Sequence, residues 1–189
     1  NKIVVGPGTG IGVGALVSVG NKWKAVASEG GHIGYSPSGN IEKEIANVLN
    51  KDYYRISIED LVSGRGLSNI YYALGVIKGM PYLKLHPAEI TRKATNENDE
   101  DCIETLRIFS GILGGYASDM AGTFNATGGV YLSGGVVPKI RQYFNETNFR
   151  EKFEENEKLP FVKQIKTHMI LEENDALFGA ASCYSGTFI

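Results

Sequence analysis

Apolar residues follow two rhythms along this chain. From Lys2 to Ser28 they come in short β-rich runs. Lys2 to Val5 is the first; Gly12 to Gly20 is the second, with apolar residues on both faces; Trp23 to Ser28 is the third, alternating Trp, Lys, Ala and Val. A glycine-rich turn separates the first two runs and Asn21-Lys22 the next two, so the three predict an antiparallel meander. Beyond Asn40 the period lengthens. Ile41, Ile45, Val48 and Leu49 mark an amphipathic helix, and Leu67, Ile70, Tyr71, Leu74 and Ile77 a second one ending near Gly79 with Pro81 beyond it. His86 to Asn96 predicts a third, with Pro87 in its first turn. The longest periodic stretch runs from Ile103 through Leu106, Phe109, Ile112, Leu113, Tyr116 and Met120 to Phe124. It predicts a core helix in which Gly114-Gly115 permit a close packing contact.

The rhythm then shortens again. Thr127 to Val136 predicts a buried strand ending in Gly134-Gly135, Pro138 to Phe144 a helix, and Phe149 to Phe153 a charged helix. Thr167 to Leu171 predicts a strand, Asp175 the cap of a last helix through Cys183, and Ser185 to Ile189 a tail. Of the connections, Ile33 to Asn40 reads as loop and Ser57 as the cap of a turn carrying Glu59 and Leu61. Ser63-Gly64-Arg65-Gly66 reads as a break, and the acidic run Asn96 to Asp101 as a solvated loop placing acid at a helix N-terminus. The sum is β-β-β, a block of helices, then β-α-β-α. That is an α/β fold with a mixed five-stranded sheet, in the order of one lobe of the ribonuclease-H-like, actin-like ATPase architecture. Such a lobe works against a second one, with nucleotide between them.

Composition narrows this only a little. A chain of 189 residues with 42% hydrophobic and 21% charged residues suits one large globular domain. Its formal charge of −2 gives no general attraction for nucleic acid or an anionic membrane surface. No apolar run approaches the roughly 20 residues of a membrane helix. Cys102 and Cys183 lack CxxC spacing and indicate neither a disulfide framework nor a zinc site; both read as buried free thiols, which fits a reducing cytoplasm. Asn1-Lys2-Ile3 enters a strand at once, without an initiator Met, and predicts a piece of a longer protein.

The candidate chemistry sits in two glycine turns. Gly6-Pro7-Gly8-Thr9-Gly10-Ile11-Gly12 exposes bare N–H groups that suit a bulky anion, with Thr9 as the tip hydroxyl. A plain hairpin turn explains the same residues. The Gly-Lys-Ser/Thr ending of a P-loop is missing, and a strand rather than a helix follows, which argues against a dinucleotide fingerprint. The second turn, Ser28-Glu29-Gly30-Gly31-His32, crowds a carboxylate and an imidazole together.

Those turns, with Ser57-Ile58-Glu59-Asp60-Leu61-Val62-Ser63-Gly64-Arg65-Gly66-Leu67 and Leu132-Ser133-Gly134-Gly135-Val136-Val137-Pro138-Lys139, closely resemble the C-terminal large domain of the bacterial-type glucokinases. The resemblance runs from Val4 to about Tyr184 and makes the whole chain, 1–189, one lobe of a two-lobe sugar kinase. It implies ATP-dependent phosphorylation of glucose, with Mg2+ held mainly through the nucleotide phosphates, in a cytoplasmic homodimer. It implies that Glu29, His32 and Glu59 bind the sugar hydroxyls, that Gly8, Thr9 and Gly10 meet the phosphates, and that Gly134 and Gly135 form the wall beneath adenosine. Carboxylates and imidazoles are apt readers of a polyol, because they accept, or donate and accept, hydroxyl hydrogen bonds. The family's catalytic aspartate and its Asp-x-Gly-Gly-Thr phosphate loop belong to the N-terminal lobe and have no match here. Asp119 and Asp175 read as structural, as do His86 and His168. The resemblance therefore implies a chain that is inert alone. No cysteine cluster follows His32, which favours the zinc-free branch over the repressor/open-reading-frame/kinase family. A sugar-responsive regulator without turnover, an actin-like ATPase without a sugar substrate and a kinase for another hexose are the alternatives.

Overall fold

The computed structural model describes residues 1–80, 83–144, 149–172 and 174–184. The meander forms as its alternation predicts: β1 (Lys2–Pro7), β2 (Ile11–Val19) and β3 (Lys22–Ser28) pair antiparallel in turn. Ile3 and Val5 of β1 and Ile11, Val13 and Ala15 of β2 are buried on one face, the period-two pattern of a sheet with one side in the core. β4 (Val130–Leu132) lies parallel beside β1, and β5 (Thr167–Met169) parallel beside β4, giving one mixed sheet in the order β3-β2-β1-β4-β5. The predicted strand from Thr127 to Val136 is cut to three residues. Gly129 and Gly134 take φ of 122° and 84°, conformations that end an extended run on either side.

The helices follow in chain order. α1 (Gly39–Leu49), α2 (Gly64–Ile77), α3 (Pro87–Arg92) and α4 (Glu100–Thr123) precede β4; α5 (Glu151–Glu154) and α6 (Asp175–Tyr184) flank β5. α4 packs on β1, α2 on α4 and α1 on α2. Leu67, Ile70 and Leu74 of α2 meet a core that includes Leu106, Phe109 and Leu113 of α4. The faces of these two helices that carry those residues are core. The opposite face of the sheet carries Lys2, Val4, Leu16 and Tyr131 along an open groove of about 620 Å³. Among the described residues no helix is long and apolar enough to cross a membrane.

Three local expectations change. Ser63-Gly64-Arg65-Gly66 is no break but the start of α2: Ser63 Oγ accepts the Gly66 N–H at 3.1 Å and caps the helix. The helix predicted from His86 passes from α3 into a π-helical turn, Lys93–Glu97, closed by Asn98 at φ 52°. Pro138 to Phe144 forms a 3-10 helix, Val137–Tyr143, that departs from helical geometry at Ile140. Of the acidic run, Asn96 and Glu97 belong to the π-helical turn rather than a loop, while the acid at the helix N-terminus is as predicted, Asp99 Oδ1 accepting the Cys102 N–H at 3.0 Å to cap α4. Cys102 is a buried free thiol; burial, aided by Asp99, pushes it up to about 12. The expectations for Pro81, the Asp175 cap, the Cys183 thiol and the tail 185–189 fall outside the described residues and side chains.

The two glycines at the middle of α4 have opposite reasons. A Cβ on Gly114 would fall 2.2 Å from the Phe149 carbonyl oxygen, whereas one on Gly115 meets nothing within 4 Å. Gly115→Ala should therefore stabilise the protein by about 0.5–1 kcal/mol, the helix-propensity gain. Gly114→Ala should destabilise it by about 2 kcal/mol or more through overpacking. Denaturant unfolding of the two variants side by side reads both signs.

Candidate active site

Ile11 carries no chemistry of its own, yet two candidate sugar-binding turns rest on its backbone. Its N–H donates to Glu59 Oε2 at 3.3 Å. Gly31 lies against it so closely that a Cβ there would fall 2.5 Å from both the Ile11 carbonyl oxygen and its Cγ2. The first turn is the 3-10 turn Gly30–His32, closed by the His32 N–H on the Glu29 carbonyl at 3.0 Å. The second is the 3-10 turn Ile58–Asp60. The chain leaving the first pairs with the chain entering the second: Ile58 N–H donates to the Ile33 carbonyl and Tyr35 N–H to the Ile56 carbonyl, each at 3.0 Å. The segments bearing Glu29, His32 and Glu59, 27 or more residues apart in sequence, thus meet at one corner.

The three side chains are held differently. Glu29 Oε2 and His32 Nε2 stand 3.7 Å apart with 90% and 62% of their side chains exposed, so both keep polar atoms free for an incoming hydroxyl. Glu59 is only 21% exposed, and Arg65, in the first turn of α2, reaches its Oε1 at 3.2 Å. Arg65 also touches Asp60 Oδ1 at 3.1 Å. The other oxygen of Asp60 accepts Ser57 N–H at 2.9 Å and Ser57 Oγ at 2.7 Å; the first of these is the carboxylate half of the capping box that shapes this turn. Ser57 is legible as a cap in the sequence. Its partner Asp60, three residues on, belongs to the same signature and goes unread there, as does Arg65.

Buried side chains support the first turn from behind. The Tyr116 hydroxyl of α4 would lie 2.9 Å from a Cβ on Gly30. Burial, then the nearby Asp119, raises the Tyr116 phenol above its ordinary range, and burial also raises the Asp119 carboxyl. The loop after His32 is pinned to α1 by Glu42, which is 6% exposed. Glu42 accepts Tyr35 Oη, Ser38 N–H at 2.9 Å and Ser38 Oγ at 3.1 Å. Glu42 lies on the buried stripe of α1 with Ile45, Ala46 and Leu49, a helical spacing that its carboxylate disguises in the sequence.

The glycine turn continues the same corner toward the sheet end. Gly8 N–H donates to the Gly10 carbonyl at 2.7 Å, and the Gly8 carbonyl accepts Gly64 N–H, at the start of α2, at 2.8 Å. Thr9 is exposed at the tip. On the far side the Pro7 carbonyl accepts Val136 N–H at 3.2 Å. A Cβ on Gly134 would sit 2.5 Å from that same Pro7 oxygen. Backbone packing alone therefore accounts for Gly134, while Gly135 faces open space. Gly135, Val136 and Lys139 form one side of a cleft of about 460 Å³ whose other side includes His86, Thr91 and Arg92. His86 also caps α3, its Nδ1 accepting Ala88 N–H at 3.3 Å. His168 stacks on Tyr131 at 5.0 Å between centroids. Both have the structural roles expected of them.

The glucokinase family model matches residues 1–187. A glucokinase of Nitrobacter hamburgensis is 38% identical over 180 residues, which cover 95% of this chain and 56% of that protein. A glucokinase of Neisseria meningitidis is 40% identical over 182 residues, covering 96% of this chain and 56% of that one. The crystal structure of a glucokinase from an Antarctic psychrotroph superposes with a TM-score of 0.91 at 30% identity, over 98% of this chain and 58% of its own. The chain thus spans a little over half the length of the relatives it matches.

The contact between Gly31 and Ile11 makes a specific demand. Gly31→Ala should cost about 2 kcal/mol or more, because the Cβ can be relieved only by moving one turn off the other. Gly12→Ala, one residue past Ile11 and with nothing within 4 Å of its Cβ, should change stability by less than about 0.5 kcal/mol. Urea unfolding of both variants separates a packing constraint from a general intolerance of this strand.

Proposed function

The chain belongs to the glucokinase family, and from that premise we propose that it is the large lobe of a kinase that transfers the γ-phosphoryl group of ATP to glucose. The supporting observation is the corner at Ile11, whose N–H holds Glu59 while its carbonyl side carries the Glu29–His32 turn, with the Gly8–Gly10 turn directly before it. A sugar bound by Glu29, His32 and Glu59 would then lie beside the phosphate end of a nucleotide. Glu59 and Glu29 would accept from sugar hydroxyls, and His32 would donate or accept. Backbone N–H groups and the Thr9 hydroxyl would meet phosphate oxygens, and adenosine would lie in the cleft bounded by Gly135, Val136 and His86. These donors suit anionic oxygens rather than a cation, so the residues fit a magnesium ion carried on the nucleotide's own phosphates. The ion would neutralise charge on the transferring group.

Phosphoryl transfer also needs a base at the attacking hydroxyl. We assign that base to an aspartate of an N-terminal lobe outside this chain, since Asp119 lies on α4 behind the sugar turn, beside Tyr116. Pairing of two copies belongs to the same proposal, on a surface other than the core faces of α2 and α4, as does a cytoplasmic setting.

In the full-length enzyme, Glu29→Gln and Glu59→Gln should each raise the KM for glucose about 10- to 100-fold, the loss of a charged hydrogen bond worth about 1.5–3 kcal/mol. Millimolar glucose should raise the Tm of the unsubstituted enzyme and of neither variant to the same extent. The 189-residue chain alone should form no glucose 6-phosphate in a coupled assay. Turnover by the isolated chain would overturn the lobe assignment, and equal or faster turnover of mannose by the whole enzyme would replace the substrate.

A further inference from the structure

We propose that Arg65 is a positioning residue for sugar recognition: its guanidinium fixes the ionised Glu59 carboxylate in the orientation that receives the substrate hydroxyl. The inference rests on the assignment of Glu59 to the sugar site and extends it to a residue with no place in that assignment. Arg65 Nη2 stands 3.2 Å from Glu59 Oε1 and 3.1 Å from Asp60 Oδ1, so one cation spans two adjacent carboxylates. Asp60 has other support, since its second oxygen takes both Ser57 donors. Among the described residues the Glu59 carboxylate has, besides this one, a 3.3 Å contact from the Ile11 N–H. The guanidinium is therefore the stronger constraint on Glu59 and a secondary one on Asp60.

Its exposure argues the same way. The Arg65 side chain is 55% exposed, and an ion pair in that setting contributes little to folding. A fold that needed only a stable helix start has the Ser63 cap for it, 3.1 Å from Gly66 N–H. What the guanidinium adds is a fixed rotamer for a carboxylate that must stay aimed. Glu59 keeps unused lone pairs after both contacts, because a carboxylate offers about four acceptor positions. The backbone sets Arg65 where it can act on Glu59. The adjoining Gly64 N–H is bonded to the Gly8 carbonyl at 2.8 Å, which locks the first turn of α2 against the strand end that supplies Ile11. Both contacts are made by one nitrogen, Nη2, so a lysine ammonium could replace the charge in part but not the fixed plane of the guanidinium.

The test is a double-mutant cycle in the full-length enzyme with Arg65→Ala, Arg65→Lys, Glu59→Gln and Arg65→Ala/Glu59→Gln, each checked for an unchanged melting transition. Arg65→Ala should raise the KM for glucose about 5- to 30-fold while kcat and the KM for ATP move less than about 2-fold, and Arg65→Lys should recover part of the loss. In the Glu59→Gln background Arg65→Ala should add almost nothing, the mark of a residue acting through another. A fall in kcat or a rise in the KM for ATP that is undiminished in the Glu59→Gln background would overturn the proposal and place the guanidinium on the transferring phosphoryl group. An unchanged glucose KM in Arg65→Ala would also overturn it. If Glu59→Gln itself leaves the glucose KM unchanged, the sugar-site assignment fails and this inference with it, whereas a large Glu59→Gln effect beside a silent Arg65→Ala removes the inference alone.

Discussion

One close contact holds this site together: Gly31 laid against the carbonyl oxygen and the Cγ2 of Ile11. At 2.5 Å to an added Cβ there is no room for any other residue, and the closeness is what brings a carboxylate and an imidazole from one turn to the edge of the sheet where a second turn delivers Glu59. Ile11 can serve both because it opens β2. Its side chain is buried at 8% exposure, so its position is set by the core, while its N–H, at the last β1–β2 pair, holds Glu59. Precision at an exposed site is thus borrowed from the packed layer beneath. This arrangement suits polar ligands on turns, whose own side chains supply little rigidity.

The division of charge around the corner follows the ligands it would separate. Glu29, Glu59 and Asp60 gather on one side, with Arg65 as the counterion of the last two. The cleft on the other side is bordered by Lys139 and Arg92, the latter already paired with Glu97. A neutral polyol gains from anionic acceptors, and a polyphosphate from bare N–H groups such as those of a glycine turn. The Gly8–Gly10 turn lies between the two regions, tied to α2 through Gly64 and followed at once by Ile11. A shift in the turn would move both halves together.

Much of this is legible in the chain. The period-two runs place β1 to β3, the 3.6-residue period places α1, α2 and α4, and Gly114 announces a close contact that Phe149 fills. Glu29, His32 and Glu59 come from motif resemblance, which carries spacing but no geometry; the shared corner at Ile11 appears only when the pairing of Gly34 with Ser57 is known. What stays hidden has physical reasons. Arg65 sits in a stretch that reads as a break, because a run of two glycines and a serine scores against helix until the Ser63 cap is recognised. Glu42 reads as a surface acid, since no local pattern reveals that Tyr35 and Ser38 will fold over it. Gly134 and Gly135 look equivalent in sequence; a φ of 84° and the approach of Pro7 single out the first.

Glu42 and Glu59 together show how the fold uses buried acid. Glu42 has three donors and an exposure of 6%, so its acceptor capacity is nearly used up within the protein, and its role is to fix the loop that leaves His32. Glu59 has two neighbours and is about one-fifth exposed, so capacity remains on the side that faces solvent. Desolvating a carboxylate costs several kcal/mol unless it is paired and hydrogen-bonded. A half-buried acid that keeps a counterion and an open lone pair is therefore poised for a ligand donor in a way that a fully satisfied one is not. The two acids follow and flank the same loop, one closing it from beneath and the other standing at its mouth, and the difference in their satisfaction separates scaffold from site.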